Sequence, residues 1–238
     1  MPIRAVLWDI DDTLFDYSGA DRIAMARLLE LEGLPARYTS PEEALDAWRV
    51  ITARHWARFA AGEADFGGQR RDRVREFLAR DLEDTEADAW FRRHAAHYEA
   101  AWSLFPDVIP VLDLLDGYRH GVLSNSSSGH QDRKLVALGV RHRFEALLCA
   151  VELGVSKPEP GAFHAACEAL ALEPHEVAYV GDEPDIDAAG AVAAGLKGIW
   201  LDRGQRGGRA DLVRITGLGQ LPALLSGDTR FGASDTFG

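Results

Sequence analysis

The sequence predicts an α/β protein whose core is a doubly wound parallel sheet, with a smaller helical domain inserted after the first strand. A short apolar run at residues 4–8 (RAVLW) stops at a cluster of aspartates, as a buried strand does at the polar edge of a sheet. After Pro106, helical patterns and apolar runs alternate along the chain. Repeated units of this length form parallel sheets that carry helices on both faces.

The helical insertion follows the first strand. Residues 20–101 are rich in Ala, Leu, Arg and Glu, with apolar side chains at helical spacing. Glycine and proline at 33–35 and glycines within 62–68 predict breaks between several helices. We predict a catalytic core at 1–15 and 104–225, a helical domain at 16–103, and a flexible, Gly/Ser/Thr/Asp-rich tail at 226–238.

The alternating part of the chain predicts four helices, each followed by a strand. Because the strands of such a sheet are parallel, their carboxyl ends lie at one edge, where α/β proteins bind their ligands. The predicted helices are 109–115, 133–138, 162–170 and 186–194, and the predicted strands are 120–123, 146–150, 177–180 and 198–201.

Composition limits the class of protein and its partners. The 238 residues are 47% hydrophobic and 27% charged, which is enough apolar material for a folded core. A formal net charge of −12 opposes nucleic-acid binding. No apolar run is long enough to span a bilayer and no signal peptide is evident, so we expect a soluble cytoplasmic protein without a membrane partner. Cys149 and Cys167 are expected to be reduced.

The first polar cluster, Asp9-Ile10-Asp11-Asp12-Thr13, follows the first strand directly. One aspartate at this place is explained as the cap of a following helix. Three carboxylates need another explanation, because like charges about 4 Å apart repel by ~4 kcal/mol per pair at an effective dielectric of ~20. A divalent cation with oxygen ligands would offset that repulsion.

Three further polar clusters follow later apolar runs. The serine-rich turn that begins at Ser124 has hydroxyl and backbone N–H groups that suit an anion, although such a turn is often only a turn. Lys157 is followed by Pro158, which stiffens the turn and fixes the direction of the lysine, although in isolation a solvated loop lysine is the better explanation. Helix capping explains Asp187 but not Asp182, which ends a predicted strand.

Together the four clusters resemble the motifs of the haloacid dehalogenase-like hydrolase (HAD) superfamily. The resemblance covers about 4–15 and 106–203, and residues 16–103 resemble the cap domain that the family carries in its first insertion position. The resemblance implies a Rossmann-like core in which Asp9 is the nucleophile and Asp11 the general acid and base. It also implies that Ser124, Asn125 and Lys157 bind phosphate, and that Asp9, Asp182 and the Asp11 backbone carbonyl bind magnesium. Asp187 would support the metal or Lys157, and Thr13 would brace the loop.

The resemblance implies a Mg²⁺-dependent phosphatase that hydrolyses a small phosphorylated metabolite, a nucleotide, sugar or organic-acid phosphate, through an aspartyl-phosphate on Asp9. Asp11 must carry a proton to act as an acid. We therefore expect neighbouring carboxylates to raise its pKa.

Other functions are also compatible with these motifs. A dehalogenase of this superfamily lacks an aspartate at the position of Asp11, because displacement of halide needs no proton. A phosphonate hydrolase needs an imine-forming lysine in the cap, and residues 20–101 contain no lysine. A phosphomutase remains an alternative, as does a catalytically idle binding protein, which the complete set of motifs disfavours.

Overall fold

The computed structural model describes residues 2–226 and has a six-stranded sheet at its centre. The strand order is β3-β2-β1-β4-β5-β6, and every neighbouring pair is parallel. Helices flank the sheet, so the predicted doubly wound, Rossmann-like α/β fold is confirmed. The strands are β1 Ala5–Trp8, β2 Arg119–Ser124, β3 Ala146–Cys149, β4 Val177–Gly181, β5 Lys197–Leu201 and β6 Val213–Ile215.

Five of these strands overlap the predicted ones, and β6 is a strand that the sequence analysis missed. It has three residues at the edge of the sheet, and both Val213 and Arg214 are exposed. A run this short, with a charged residue in its centre, lacks the apolar pattern on which strand prediction depends.

The core helices match the predicted order but differ at their ends. Helix α6 begins five residues before its predicted start, because its first turn is polar and carries no apolar periodicity. The predicted helix 186–194 is a π-helical segment, Pro184–Ala189, continued by a short α-helix. The α-helices are α5 Val108–Leu114, α6 Ser128–Ala137, α7 Ala150–Leu153, α8 Pro160–Ala169, α9 Gly190–Ala193 and α10 Leu221–Ser226, with 3₁₀ turns at Arg141–Arg143, Pro174–Glu176 and Leu218–Gln220.

The sheet is buried where it carries the site. All four residues of β1 and all five of β4 are buried, as expected for central strands covered on both faces. On one face Leu7 and Tyr179 pack with Phe163 and Leu170 of the α8 region. Each large apolar side chain buried in this way contributes roughly 1.5–3 kcal/mol, so the strand ends are held on a rigid base.

Within the described residues the chain divides into two compact units, residues 2–16 with 104–226, and Tyr17–Ser103. The second unit is helical, as predicted. Ser40 and Asp65 cap its second and third helices, and the rings of Trp48, Phe77 and Trp90 lie 5.4–5.6 Å apart in its core. Its helices are α1 Tyr17–Glu32, α2 Pro41–Ala60, α3 Phe66–Leu78 and α4 Asp84–Ala100.

Three other expectations concern the cysteines, the tail and membrane spans. Cys149 and Cys167 are free and buried, and burial raises their pKa values to about 12 and about 11. Apart from Ser226, which ends α10, the predicted flexible tail lies outside the described residues. None of the helices in residues 2–226 is both long and apolar enough to cross a membrane.

Gly198 gives a test of how β5 packs on the π-helical segment. A Cβ at this position would lie 2.1 Å from the Ala188 carbonyl oxygen, so Gly198→Ala forces the strand and the helix apart. We expect the free energy of unfolding, measured in urea, to fall by about 1–3 kcal/mol or more. Gly117→Ala is the matched control, because a Cβ there meets no atom within 4 Å. Equal stability of the two variants would contradict this packing.

Candidate active site

Three polar clusters meet at the carboxyl edge of the sheet because their strands pair in register. Trp8 at the end of β1 lies beside Val122 of β2 and Val180 of β4. The chain therefore leaves all three parallel strands at the same edge. The site residues that follow at this edge are Asp9, Ser124 and Asp182.

Lys157 joins the ends of the strands. Its ammonium donates to Asp9 Oδ1 and to Asp187 Oδ1, each at 2.7 Å, and to the Tyr179 hydroxyl oxygen at 2.7 Å. The Tyr179 hydroxyl donates to the Leu123 carbonyl, which leaves its oxygen free to accept from Lys157. Lys157 is only 4% exposed. Burial by itself would lower its pKa, but Asp187 and Asp9 outweigh that effect and raise the pKa well above its usual value.

Asn125 fixes the backbone from which Lys157 projects. Its Nδ2 donates to the Lys157 carbonyl at 2.9 Å, and its Oδ1 accepts from the Lys157 N–H at 2.8 Å. The amide thus bridges the turn after β2 and the Lys157 loop. The sequence analysis predicts phosphate binding for Asn125, and this contact adds a role in placing Lys157.

Three carboxylates of the site lie close enough to share a cation. Asp9, Asp182 and Asp187 each offer an oxygen within 4.8 Å of the others. Burial, followed by the charge of Asp187 and Asp11, raises the pKa of Asp9 to about 7, although Lys157 opposes the shift. Burial and the charges of Asp9 and Asp187 raise the pKa of Asp182 to about 9. The cluster therefore concentrates more negative charge than Lys157 offsets.

Asp187 is held by hydrogen bonds on both of its oxygens. Oδ1 accepts from Lys157, and Oδ2 accepts from the Glu183 N–H at 3.0 Å. Gly181 leaves room for this arrangement, because a Cβ there would lie 2.3 Å from the Asp187 carboxyl carbon. By contrast, none of the described residues donates a hydrogen bond to the carboxylate of Asp182.

Asp11 differs from the sequence-based expectation. Its Oδ1 accepts from Lys134 Nζ at 2.5 Å, and its Oδ2 accepts from Gln131 Nε2 at 2.8 Å. Burial alone would raise the pKa of Asp11, but Lys134 and Gln131 outweigh it and the pKa is lowered. The expected raised pKa is therefore wrong: Lys134 and Gln131 keep Asp11 a carboxylate at neutral pH.

Ser124 ends β2 and is almost fully buried. Its Oγ accepts from Gln131 Nε2 at 3.1 Å, the same nitrogen that donates to Asp11. Since a hydroxyl is both acceptor and donor, the Ser124 proton is left to donate to a ligand.

The loop that carries Asp9 and Asp11 is held by its backbone. The Ile10 carbonyl accepts from the N–H groups of Leu14 and Phe15, which folds the loop back on itself. Thr13 is fully buried, and its carbonyl accepts from Arg203 Nη2 at 2.8 Å. Arg203 is fixed in turn by a bidentate pair with Asp107. The predicted bracing of the loop thus runs through the Thr13 main chain, since Thr13 Oγ1 has no partner among the described residues.

Sequence reasoning missed several residues of this site. Gln131 and Lys134 are three residues apart on α6, a spacing that puts them on one helix face, beside the buried Leu135. Polar residues on the buried face of a helix that follows a motif strand are the signal that could have found them. The other missed contacts are made by Tyr179, Arg203 and Asp107.

Known phosphatases are similar to this chain in sequence. The phosphoserine phosphatase of Thermus thermophilus is 35% identical over 181 residues, which are 74% of this chain and 65% of that enzyme. The chain thus spans just under two thirds of that enzyme's length. The glyceraldehyde 3-phosphate phosphatase of Methanopyrus kandleri is 30% identical over 212 residues, which are 85% of each chain.

A solved structure and a family model complete the comparison. The HAD-hydrolase YfnB from Bacillus subtilis, in its magnesium-bound form, superposes with a TM-score of 0.74 over 94% of this chain and 99% of that one. At 20% identity this likeness shows the fold alone. A family model described as haloacid dehalogenase-like hydrolase matches residues 3–195. The resemblance given by the four motifs is confirmed, and the chain belongs to the haloacid dehalogenase-like hydrolase family.

Proposed function

We propose that this protein is a Mg²⁺-dependent phosphatase that hydrolyses the phosphate monoester of a small metabolite through an aspartyl-phosphate on Asp9. The observation that carries the proposal is the Lys157 ammonium, 2.7 Å from Asp9 Oδ1 and buried beside a cluster of carboxylates. Phosphatases for phosphoserine and for glyceraldehyde 3-phosphate among its relatives support a nucleotide, sugar or organic-acid phosphate as substrate. Residues 16–103 would act as the cap domain.

Asp9 is the nucleophile in this proposal. It directly follows β1, one of the two central strands of the sheet, and keeps one carboxylate oxygen, Oδ2, outside the contact with Lys157. Attack on phosphorus divides the reaction into formation and hydrolysis of an acyl phosphate, each easier than direct hydrolysis by water. The ammonium of Lys157 also lowers the repulsion between the attacking carboxylate and the anionic substrate.

The residues of the site fit a divalent cation by their charge. When all four carboxylates are ionised, they exceed the two ammonium groups by two negative charges. Burial and this repulsion together raise the pKa values of Asp9 and Asp182, so a cation is needed to keep both ionised at neutral pH. A hard cation such as Mg²⁺ takes oxygen ligands of this kind and supplies positive charge against the phosphate oxygens. The groups counted are Asp9, Asp11, Asp182 and Asp187 against Lys134 and Lys157.

The Asp9 and Asp182 carboxylates and the Asp11 backbone carbonyl would hold Mg²⁺. Asp187 is better placed to orient Lys157, because both of its oxygens already accept hydrogen bonds. Ser124 would donate its hydroxyl proton to the transferred phosphoryl group, and the second N–H of the Asn125 amide would assist.

Asp11 would transfer protons in both halves of the reaction. As a carboxylate it is ready to accept a proton from the water that hydrolyses the intermediate. Its role as the acid for the leaving oxygen needs a higher pKa, and the negative charge of a bound phosphate acts in that direction. Its presence also favours a phosphatase over a dehalogenase, which has no leaving alkoxide to protonate.

The first prediction concerns the nucleophile. The purified protein should release phosphate from p-nitrophenyl phosphate when Mg²⁺ is present, and Asp9→Asn should lower kcat by at least about 10³-fold because the covalent route is lost. Asp113→Asn is the matched control, since this exposed aspartate only pairs with Arg143 on the surface. Phosphate release by Asp9→Asn at the rate of the control would exclude the proposed function.

The second prediction concerns the metal. Asp182→Asn should raise the Mg²⁺ concentration for half-maximal activity by about 10–100-fold, the loss typical when a metal site loses a supporting group. Without Mg²⁺ the variant should unfold at the same temperature as the wild type or a higher one, because burial and the neighbouring carboxylates both disfavour a charge at this position.

The stability of the two proteins distinguishes metal loss from misfolding. Thermal unfolding followed with and without Mg²⁺ should show stabilisation of the wild type and little of Asp182→Asn. An unchanged Mg²⁺ requirement in the variant would remove Asp182 from the metal site.

A further inference from the structure

We propose that Lys134 and Gln131 are positioning residues that hold the Asp11 carboxyl group in the direction needed for proton transfer to and from the substrate. The proposal rests on the phosphatase function proposed above. It concerns two residues of α6 that none of the four motifs contains.

The Asp11 carboxyl group is fixed at both oxygens by one helix. Lys134 Nζ binds Oδ1 at 2.5 Å and Gln131 Nε2 binds Oδ2 at 2.8 Å. Two contacts from residues one helical turn apart leave the planar group little freedom to rotate. The same Gln131 nitrogen binds Ser124 Oγ at 3.1 Å, so one amide sets the proton-transfer group relative to the phosphate-binding hydroxyl.

The burial of Lys134 indicates that its position serves Asp11. Lys134 is 1% exposed, and burying an ammonium costs several kcal/mol unless a carboxylate compensates. The compensating carboxylate is Asp11, and the ring of Phe15 lies 4.2 Å from the same nitrogen. An apolar residue of similar length would fill this space without the cost of a buried charge.

The burial of Gln131 also has an energetic cost. It is fully buried, and its Oε1 has no hydrogen-bond partner among the described residues. A buried carbonyl oxygen without a hydrogen-bond partner destabilises the folded protein. The amide is therefore oriented by its two donor contacts, to Asp11 and Ser124, while its carbonyl oxygen Oε1 is left without a hydrogen bond.

The orientation of the Asp11 carboxyl group affects both proton transfers of the proposed reaction. When the Asp9–phosphorus bond forms and the ester P–O bond breaks, the proton of the Asp11 carboxylic acid passes to the leaving oxygen. When water attacks phosphorus and the Asp9–phosphorus bond breaks, the Asp11 carboxylate takes the water proton and returns to its acid form. Both transfers need the carboxyl group in place, and a misplacement of about 1 Å costs roughly 10²-fold.

A pair of substrates with different leaving groups tests the proposal. p-Nitrophenolate leaves without a proton, because the nitro group stabilises its charge. Phenolate, with a conjugate acid of pKa about 10 as in tyrosine, gains more from an acid. Removal of Lys134 also removes a charge that lowers the pKa of Asp11, which by itself favours the acid form, so only loss of position lowers the rate of protonation. In kcat/KM, which reports the first transfer, Lys134→Met should lose about 10–100-fold on phenyl phosphate and at least about fivefold less on p-nitrophenyl phosphate. A gain on phenyl phosphate would contradict the positioning role.

Two further variants complete the experiment. Gln131→Met should change the ratio of the two kcat/KM values in the same direction, and it carries the test alone if Lys134→Met does not fold. Asp11→Asn gives the reference ratio for an enzyme without the acid. Lys197→Met is the matched control, because this lysine begins β5, at the end of the strand away from the site, and among the described residues its ammonium donates only to the Leu224 carbonyl.

The outcomes separate this inference from the proposed function. Wild-type activity that Asp9→Asn abolishes supports the function, whatever the α6 variants do. A larger loss on phenyl phosphate in Lys134→Met or Gln131→Met supports the positioning role. Equal losses on both substrates, as a general structural defect gives, or unchanged values for both variants would overturn it.

Discussion

The site depends on one buried ammonium group. Lys157 Nζ lies 2.7 Å from a carboxylate oxygen of Asp9 and 2.7 Å from one of Asp187. Because Lys157 is almost fully buried, these carboxylates compensate its charge in place of solvent. Without this cation, the carboxylates of Asp9, which follows β1, and Asp187, in the π-helical segment after β4, would repel each other at the edge where the strands end. Its contacts link those segments to the Lys157 loop.

The same electrostatics connects stability with function. The raised pKa values of Asp9 and Asp182 mean that the folded protein without metal holds carboxylates that prefer to be neutral. A bound cation or proton reduces this electrostatic repulsion, so the site favours the binding of positive charge. α6 adds a second buried ammonium at Asp11, and in the proposed mechanism Lys157 holds the nucleophile while Lys134 holds the proton-transfer group.

The site residues that lie in short local sequence patterns could be predicted from the sequence. Asp9 and Asp182 were predictable because each follows an apolar run and parallel strands bring such positions together. Lys157 was predictable because the prolines that follow it stiffen its turn. Gln131 and Lys134 were not, because polar residues three apart on a helix normally face solvent, and only the packed structure shows them buried. The lowered pKa of Asp11 was missed for the same reason, since it depends on those two side chains.

Other differences have equally local causes. β6 is too short and too charged to be recognised from its pattern, and a π-helical segment replaces the first turns of the predicted helix after β4. That segment brings Asp187 back to Lys157 and packs tightly against Gly198 and Gly181, contacts that depend on three-dimensional closeness.

The central claim is that Asp9 becomes covalently phosphorylated, and chemical trapping tests it most directly. Borohydride added during turnover reduces an aspartyl-phosphate to homoserine, which peptide mass spectrometry locates in the chain. The account predicts homoserine at residue 9, dependent on both substrate and Mg²⁺. Turnover that continues with no reduction at residue 9, or with reduction at another carboxylate, would contradict it.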